Sequence, residues 1–196
     1  MSEQYLKNAS FIKSITDLSQ KPNKLLPEIA FVGRSNVGKS SLLNAITNRK
    51  KLAKISSTPG KTRLINYFLI DNLFYLVDLP GYGFAKLGKT EHKKWKTMLE
   101  SFIKGSEQLC LICLLIDSRH GFLPNDLQML EWLTHYQKPF IIILTKTDKI
   151  SKNRLNYFVR KINKIYPDHH VLPFSIKSED YRIELVNLLK NLLERT

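Results

Sequence analysis

Eight residues near the start of the chain have the types and spacing of a phosphate-binding loop. Residues 33–40 read Gly33-Arg34-Ser35-Asn36-Val37-Gly38-Lys39-Ser40, which fits the pattern G-x-x-x-x-G-K-[ST]. This pattern is specific for phosphate when it follows a buried strand and opens a helix. The apolar run at 29–32 predicts the strand, and the apolar spacing at 42–46 predicts the helix. The sequence therefore predicts a nucleoside triphosphate site.

Each part of this loop has an expected chemical role. Gly33 and Gly38 let the backbone approach phosphate closely, and the backbone N–H groups of the turn form a concave anion site. The helix that follows adds its positive N-terminal end. Lys39 is expected to reach the β- and γ-phosphates and to act in catalysis, and the Ser40 hydroxyl is expected to bind Mg²⁺.

A second segment, Asp78-Leu79-Pro80-Gly81, follows the apolar run at 73–77. A carboxylate at the end of a strand would hold Mg²⁺ through water, and the Gly81 N–H would meet the γ-phosphate at a loop that moves on hydrolysis. This segment is expected to complete the phosphate and metal side of the site.

A third segment, Thr145-Lys146-Thr147-Asp148, predicts which base is bound. The Asp148 carboxylate can accept hydrogen bonds from the ring N–H and the exocyclic amine of guanine, a pair of donors that adenine does not offer. The Lys146 stem can lie over the base plane. Phe174-Ser175-Ile176, at the end of the last predicted strand, could offer backbone N–H groups to the guanine carbonyl. We therefore expect GTP and GDP as ligands.

The charge of the chain is strongly positive and unevenly distributed. The formal net charge is +14, and no acidic residue lies between Glu28 and Asp71. This excess favours a polyanionic partner, most simply nucleic acid. The alternative is solubility charge on a lysine-rich surface. The basic residues that the phosphate loop does not explain are Arg49, Lys50, Lys51, Lys54, Lys86, Lys89, Lys93, Lys94 and Lys96.

Strand patterns alternate with helix patterns along the 196 residues, which predicts an α/β doubly wound domain. Six strands are expected, near 28–33, 64–70, 73–78, 109–117, 139–145 and 171–175. Asp71-Asn72 is a hairpin signal, so the sheet should be mostly parallel with one antiparallel edge strand. Residues 1–27 are expected to be an N-terminal extension packed on the domain at 28–196.

Other features bear on location and on metal sites. The longest apolar run, 109–116, is too short to span a bilayer, and the N-terminus shows no signal segment. We expect a cytoplasmic protein, a monomer, with no membrane partner. Cys110 and Cys113 lie in one apolar strand on opposite faces, which is typical of structural thiols.

Taken in order, these segments resemble the translation-factor-related GTPases, and most closely the EngB/YsxC family of ribosome-assembly GTPases. Thr58-Pro59-Gly60-Lys61-Thr62-Arg63 and the run Asp78-Leu79-Pro80-Gly81-Tyr82-Gly83 are distinctive for that family. The resemblance implies a three-layer, Ras-like P-loop GTPase fold that hydrolyses GTP. It also implies that Thr62 is the switch threonine, which joins Ser40 on Mg²⁺ and acts in catalysis. The further nucleotide contacts that it implies are Gly60, Lys61, Arg63 and Leu64.

The same resemblance implies a role in assembly of the large ribosomal subunit, with rRNA as the polyanion, and a link with cell division and septation. The alternative is a basic RNA-binding module in which GTP is mainly structural. Tyr82 stands where Ras-like enzymes place a water-orienting Gln, so we expect slow intrinsic turnover. Asn36 resembles the asparagine of potassium-activated GTPases in this superfamily, which suggests a K⁺ ion there; the alternative is an Asn that only shapes the loop.

Overall fold

The computed structural model describes residues 5–53, 64–83 and 89–194, with the side chains of 89–92 left out. The described residues contain one seven-stranded sheet in the order β1-β3-β4-β2-β5-β6-β7. The strands are β1 (Ser10–Ile15), β2 (Glu28–Gly33), β3 (Ile65–Ile70), β4 (Phe74–Asp78), β5 (Leu109–Asp117), β6 (Phe140–Thr145) and β7 (Val171–Pro173). The helices are α1 (Lys39–Ile46), α2 (Lys89–Gly105), α3 (Pro124–His135), α4 (Lys152–Ile165) and α5 (Glu179–Leu193).

The sheet separates two apolar cores, because alternate side chains of each strand point to opposite faces. On one face, Ala30 and Val32 of β2 pack with buried residues of α2, α3 and α4. On the other face, Ile29 and Phe31 pack with α1 and α5. Both faces of the central strands are therefore covered, as their continuously apolar sequences predict. Among the described residues, no helix is long and apolar enough to cross a membrane.

The predicted α/β three-layer fold class is confirmed, but the sheet differs from the prediction at one end. It has seven strands instead of six, and the antiparallel strand β3 is not at the edge, because β1 pairs with it from residues 10 to 15. The register shifts between Phe11 and Lys13, so a bulge interrupts the alternation of this strand. Phe11 is also 53% exposed. The period-two pattern by which strands are predicted is therefore absent from β1.

The parallel strands bring their carboxyl ends to one edge of the sheet. Strand β2 pairs with β4 and β5, and β5 pairs with β6, all in parallel. As a result Gly33, Asp78, Asp117 and Thr145, which end these four strands, lie along the same edge. In open α/β sheets this edge is where ligands bind.

Candidate nucleotide site

The turn between β2 and α1 has the backbone shape that its glycines and asparagine allow. Gly38 has φ +107, a conformation that L side chains rarely adopt. Asn36 has φ 63, and Asn is among the few non-glycine residues that tolerate this left-handed region. The Val37 carbonyl accepts a hydrogen bond from Thr145 Oγ1 at 2.7 Å, which ties the turn to the end of β6. The left-handed backbone by itself gives a reason for Asn at position 36.

Lys39 and Asp78 meet at the start of α1. Lys39 Nζ forms an ion pair with Asp78 Oδ1, and both side chains are nearly buried. Asn66 Nδ2 donates to the other Asp78 oxygen at 3.4 Å. The pairing of Phe31 with Asp78 in the sheet fixes this arrangement, since it sets the end of β4 beside the end of β2. The carboxylate and the loop lysine are therefore held together by the sheet itself.

The donor set here fits Mg²⁺. Ser40 lies in the first turn of α1 and carries a hydroxyl oxygen, and it directly follows Lys39, which contacts the Asp78 carboxylate. Among the described residues, no cluster of three or more His, Cys, Asp or Glu could hold a metal alone. Mg²⁺ is usually held by one or two protein oxygens together with phosphates, so a sparse set of hard oxygen ligands suits it.

The segment after Asp78 runs along the backbone of the phosphate loop. The Tyr82 N–H donates to the Gly33 carbonyl at 3.1 Å, and the Ser35 N–H donates to the Tyr82 carbonyl at 3.0 Å. A Cβ on Gly81 would lie 3.2 Å from both the Gly33 carbonyl oxygen and the Ser35 nitrogen. A side chain at position 81 would therefore be crowded, and the backbone of the phosphate loop would have to shift by a few tenths of an ångström to admit it.

Tyr82 fastens this segment to α3. Its ring is 3% exposed, and its hydroxyl donates to Asp126 Oδ1 at 2.7 Å. The second Asp126 oxygen accepts from the Leu123 N–H at 2.9 Å and so closes the first turn of α3. Burial and the neighbouring carboxylate raise the pKa of Tyr82 far above its usual range. Burial also raises the pKa of Asp126. The Tyr82 hydroxyl is thus occupied away from the phosphate loop.

On the other side of the loop, Asp148 is held in position by the end of the last strand. Ser175 Oγ accepts from the Lys177 N–H at 3.1 Å and donates to Asp148 Oδ1 at 2.9 Å. Burial opposes ionisation of Asp148, but the Ser175 hydrogen bond and the nearby lysines outweigh it and lower its pKa. Asp148 is therefore an ionised, oriented acceptor, which is what recognition of two donors on one base requires.

Lys146 spans the gap between the phosphate loop and the base side. Its Nζ donates to the Asn36 carbonyl at 2.6 Å and to Asp117 Oδ2 at 2.9 Å. Burial opposes ionisation of Asp117, but hydrogen bonds from Arg119 and Lys146 hold its pKa below the usual range. The sequence analysis did not identify Asp117. It could have been identified, because it is an acidic residue at the end of the buried strand β5, and β5 neighbours β6, the strand that precedes Asp148.

The structure thus brings the predicted segments 33–40, 78–81, 145–148 and 174–175 to one edge of the sheet. The Thr147 N–H donates to the Phe174 carbonyl at 3.3 Å, which joins the last two of them. Phe174 is buried, whereas Ile176 is 57% exposed. Leu64 directly precedes β3. The predicted contacts at Gly60, Lys61, Thr62 and Arg63 lie outside the described residues.

The predicted basic surface is partly described. Arg49, Lys50 and Lys51 are exposed after α1, and Lys93, Lys94 and Lys96 are exposed on α2. Lys54, Lys86 and the Lys89 side chain lie outside the described residues. Cys113 is buried and Cys110 half-buried, and burial raises the pKa of both thiols, as expected of structural cysteines.

Comparison with known proteins agrees with this geometry. Residues 28–146 match the family described as 50S ribosome-binding GTPase. A "Probable GTP-binding protein EngB" from Clostridium kluyveri is 48% identical over 192 residues, which are 96% of this chain and 98% of that protein.

Solved structures give the same result. A crystal structure of a probable GTP-binding protein EngB is 27% identical with a TM-score of 0.69, and the match covers 86% of this chain and 100% of the other. Era in complex with MgGDPNP and nucleotides 1506–1542 of 16S ribosomal RNA is 25% identical with a TM-score of 0.65, and the match covers 88% of this chain and 57% of Era.

Proposed function

We propose, since this chain belongs to the EngB family of P-loop GTP hydrolases, that it acts in the cytoplasm as a monomeric, nucleotide-gated switch in assembly of the large ribosomal subunit. The observation that carries the switch is the contact of residues 79–82 with the phosphate loop. Gly81 lies against the Gly33 and Ser35 backbone, so a γ-phosphate bound by the loop would meet the Gly81 N–H directly. The presence or absence of that phosphate would then decide the position of the segment.

The hydrolytic site follows from the same residues. Lys39 would pair with the β- and γ-phosphates, and Ser40, with Asp78 through water and Thr62, would hold Mg²⁺. The ion supplies positive charge that neutralises the charge developing on the phosphates. Asp148 and Lys146 would bind the guanine base, with the backbone of 174–176 at its carbonyl.

Slow intrinsic turnover is supported by the position of Tyr82. Its hydroxyl donates to Asp126 and its ring is buried, so this side chain is not available to orient the attacking water as a Gln would. A partner or an ion would have to complete the site. That K⁺ bound at Asn36 completes the site remains a prediction. Equal rates of GTP hydrolysis in KCl and NaCl, with and without large subunits, would rule it out.

Three observations support the ribosomal partner. The net charge of +14 favours a polyanion, and the family matched by residues 28–146 is described as ribosome-binding. The related protein Era has been crystallised with nucleotides of 16S ribosomal RNA, which supports ribosomal RNA in general as the class of ligand. The exposed basic residues at 49–51 and 93–96 are candidates for the contact with rRNA. A link with septation would be either direct or a consequence of impaired ribosome supply.

The test is co-sedimentation with separated ribosomal subunits. The protein is loaded with GDP or with a non-hydrolysable GTP analogue, and the salt concentration is varied. Binding to the large subunit in the GTP-like state, with the small subunit as the negative control, is the expected result. Binding that ignores the nucleotide would contradict the switch and favour a basic RNA-binding module in which GTP is structural.

A further inference from the structure

Helix α4 carries the most one-sided charge distribution among the described helices. Its 14 residues contain five Lys or Arg and no acidic residue. The neighbouring helix α3, on the same face of the sheet, contains two acidic residues and no Lys or Arg. A uniform lysine-rich background would raise the charge of both helices. The contrast therefore indicates that the positive charge is unevenly distributed, with α4 more basic than its neighbour α3.

The basic side of α4 faces solvent. Leu155 and Ile162 are buried against the sheet, and the outward stripe at helical spacing is formed by Asn153, Tyr157, Arg160 and Lys164, with Lys161 beside it. Within the described parts of the chain, no ion pair involves Arg160, Lys161 or Lys164. These three cations are therefore available to a ligand.

An aromatic side chain stands at the N-terminal end of this group of cations. Tyr157 is 62% exposed, and Lys161 follows it by one helical turn. A basic helix can also lie on a membrane, but that requires an apolar face turned outward. The apolar face of α4 is turned to the sheet instead: Leu155 and Ile162 are buried, Phe158 and Val159 are half-buried, and Ile165 is the one exposed aliphatic side chain of this helix. Cations that follow an exposed ring along one helix face fit RNA instead, because phosphates pair with the cations while an unpaired base stacks on the ring.

We infer that the outward face of α4, at Tyr157, Arg160, Lys161 and Lys164, is an RNA-binding anchor that adds the same affinity in both nucleotide states, in addition to the nucleotide-dependent contact of the proposed switch. This inference rests on the proposed function for the source of the RNA. It places the anchor on a part of the surface distinct from the basic residues at 49–51 and 93–96.

Independence from the nucleotide follows from where α4 lies. The helix joins β6 to β7, whereas Gly81 follows β4, and the strands β2 and β5 lie between β4 and β6. Three strand spacings amount to about 14 Å. Arg154 Nη2 donates to the Arg119 carbonyl at 2.8 Å, so α4 contacts the base side of the site instead of the γ-phosphate side. A change at Gly81 is therefore expected to leave α4 in place.

The experiment compares two triple variants with the same change in charge. In the anchor variant Arg160, Lys161 and Lys164 become Gln, and in the control variant Lys13, Lys24 and Lys138 become Gln. Each is titrated against a labelled RNA hairpin with an unpaired loop, and against large subunits in the GDP and GTP-like states. Thermal unfolding verifies that both variants are folded.

We expect the anchor variant to bind both ligands more weakly in both nucleotide states by one common factor. Three lost phosphate contacts reduce the salt slope by about 2 to 2.7, so raising salt from 50 to 200 mM should weaken the wild type about 20- to 40-fold more than the anchor variant. Tyr157→Ala should lose about tenfold without changing the slope, and Tyr157→Phe should bind normally.

The outcomes separate the two proposals. Hairpin binding by the anchor variant equal to that of the control variant overturns the α4 surface, whatever the ribosome data show. A loss that changes the ratio of GTP-state to GDP-state affinity overturns the anchor role. Hairpin binding through α4 without any binding to the large subunit leaves the RNA surface standing and refutes the proposed function.

Discussion

Replacing Asp148 by Asn tests the selection of guanine at a single atom. A carboxylate offers two acceptors to the two donors of guanine, while an amide offers one acceptor and one donor. Hydrogen bonds to a charged group contribute about 1.5–3 kcal/mol each. In the variant one such hydrogen bond is lost, and the amide N–H₂ group faces an N–H donor of guanine. The two effects together should cost about 3 kcal/mol, or over a hundredfold in the Kd for GDP. Xanthine carries a carbonyl where guanine carries the amine. The Asp148→Asn variant should therefore gain affinity for xanthosine diphosphate by a similar factor.

The assay is a titration with fluorescent guanosine and xanthosine diphosphates. Ser175→Ala is the matched control, because it removes the hydroxyl that donates to Asp148 Oδ1 at 2.9 Å but keeps both carboxylate oxygens. We expect it to lose at most about tenfold and to retain the preference for guanine. Unchanged GDP affinity in Asp148→Asn would refute the role of this residue. Equal losses for both nucleotides would show that Asp148 stabilises the fold and does not select the base.

Three further predictions concern the phosphate loop and the Tyr82 contact. Tyr82→Phe should lower the free energy of unfolding in urea by about 1–3 kcal/mol, because Asp126 loses a buried donor, and an unchanged midpoint would contradict this. Gly38→Ala should abolish measurable GDP binding while secondary structure persists, because φ is +107 there; normal binding would show that the turn tolerates a side chain. Burial raises the pKa of Asp126 above its ordinary value of 3.8, so the neutral carboxyl stabilises the folded protein at low pH. This contribution to the free energy of unfolding should be lost as the pH rises from 3.8 through the raised pKa. Asp126→Asn should flatten that part of the stability–pH curve, and parallel curves for variant and wild type would contradict the assignment.

The segments that carry the site could be predicted because each is local in sequence. The loop at 33–40 needs only a strand before it and a helix after it, and both are visible as apolar patterns. Asp78 at the end of β4 and Asp148 just after the end of β6 could be predicted in the same way. Strand β1 could not, since the bulge between Phe11 and Lys13 breaks its alternation, and its pairing with β3 joins residues that are 50 or more positions apart.

Tyr82 shows where a prediction from residue type alone stops. The sequence shows that a Tyr stands where a Gln would orient water, which leaves open whether the Tyr hydroxyl could take over that task. The answer depends on Asp126, which is 44 residues away and unrelated to any motif. Its carboxylate accepts from the Tyr82 hydroxyl and also closes the first turn of α3. Because this contact is buried, turning Tyr82 toward the phosphate would leave Asp126 Oδ1 without its donor. The same hydrogen bond therefore keeps the Tyr82 hydroxyl from orienting water and connects Tyr82 to α3.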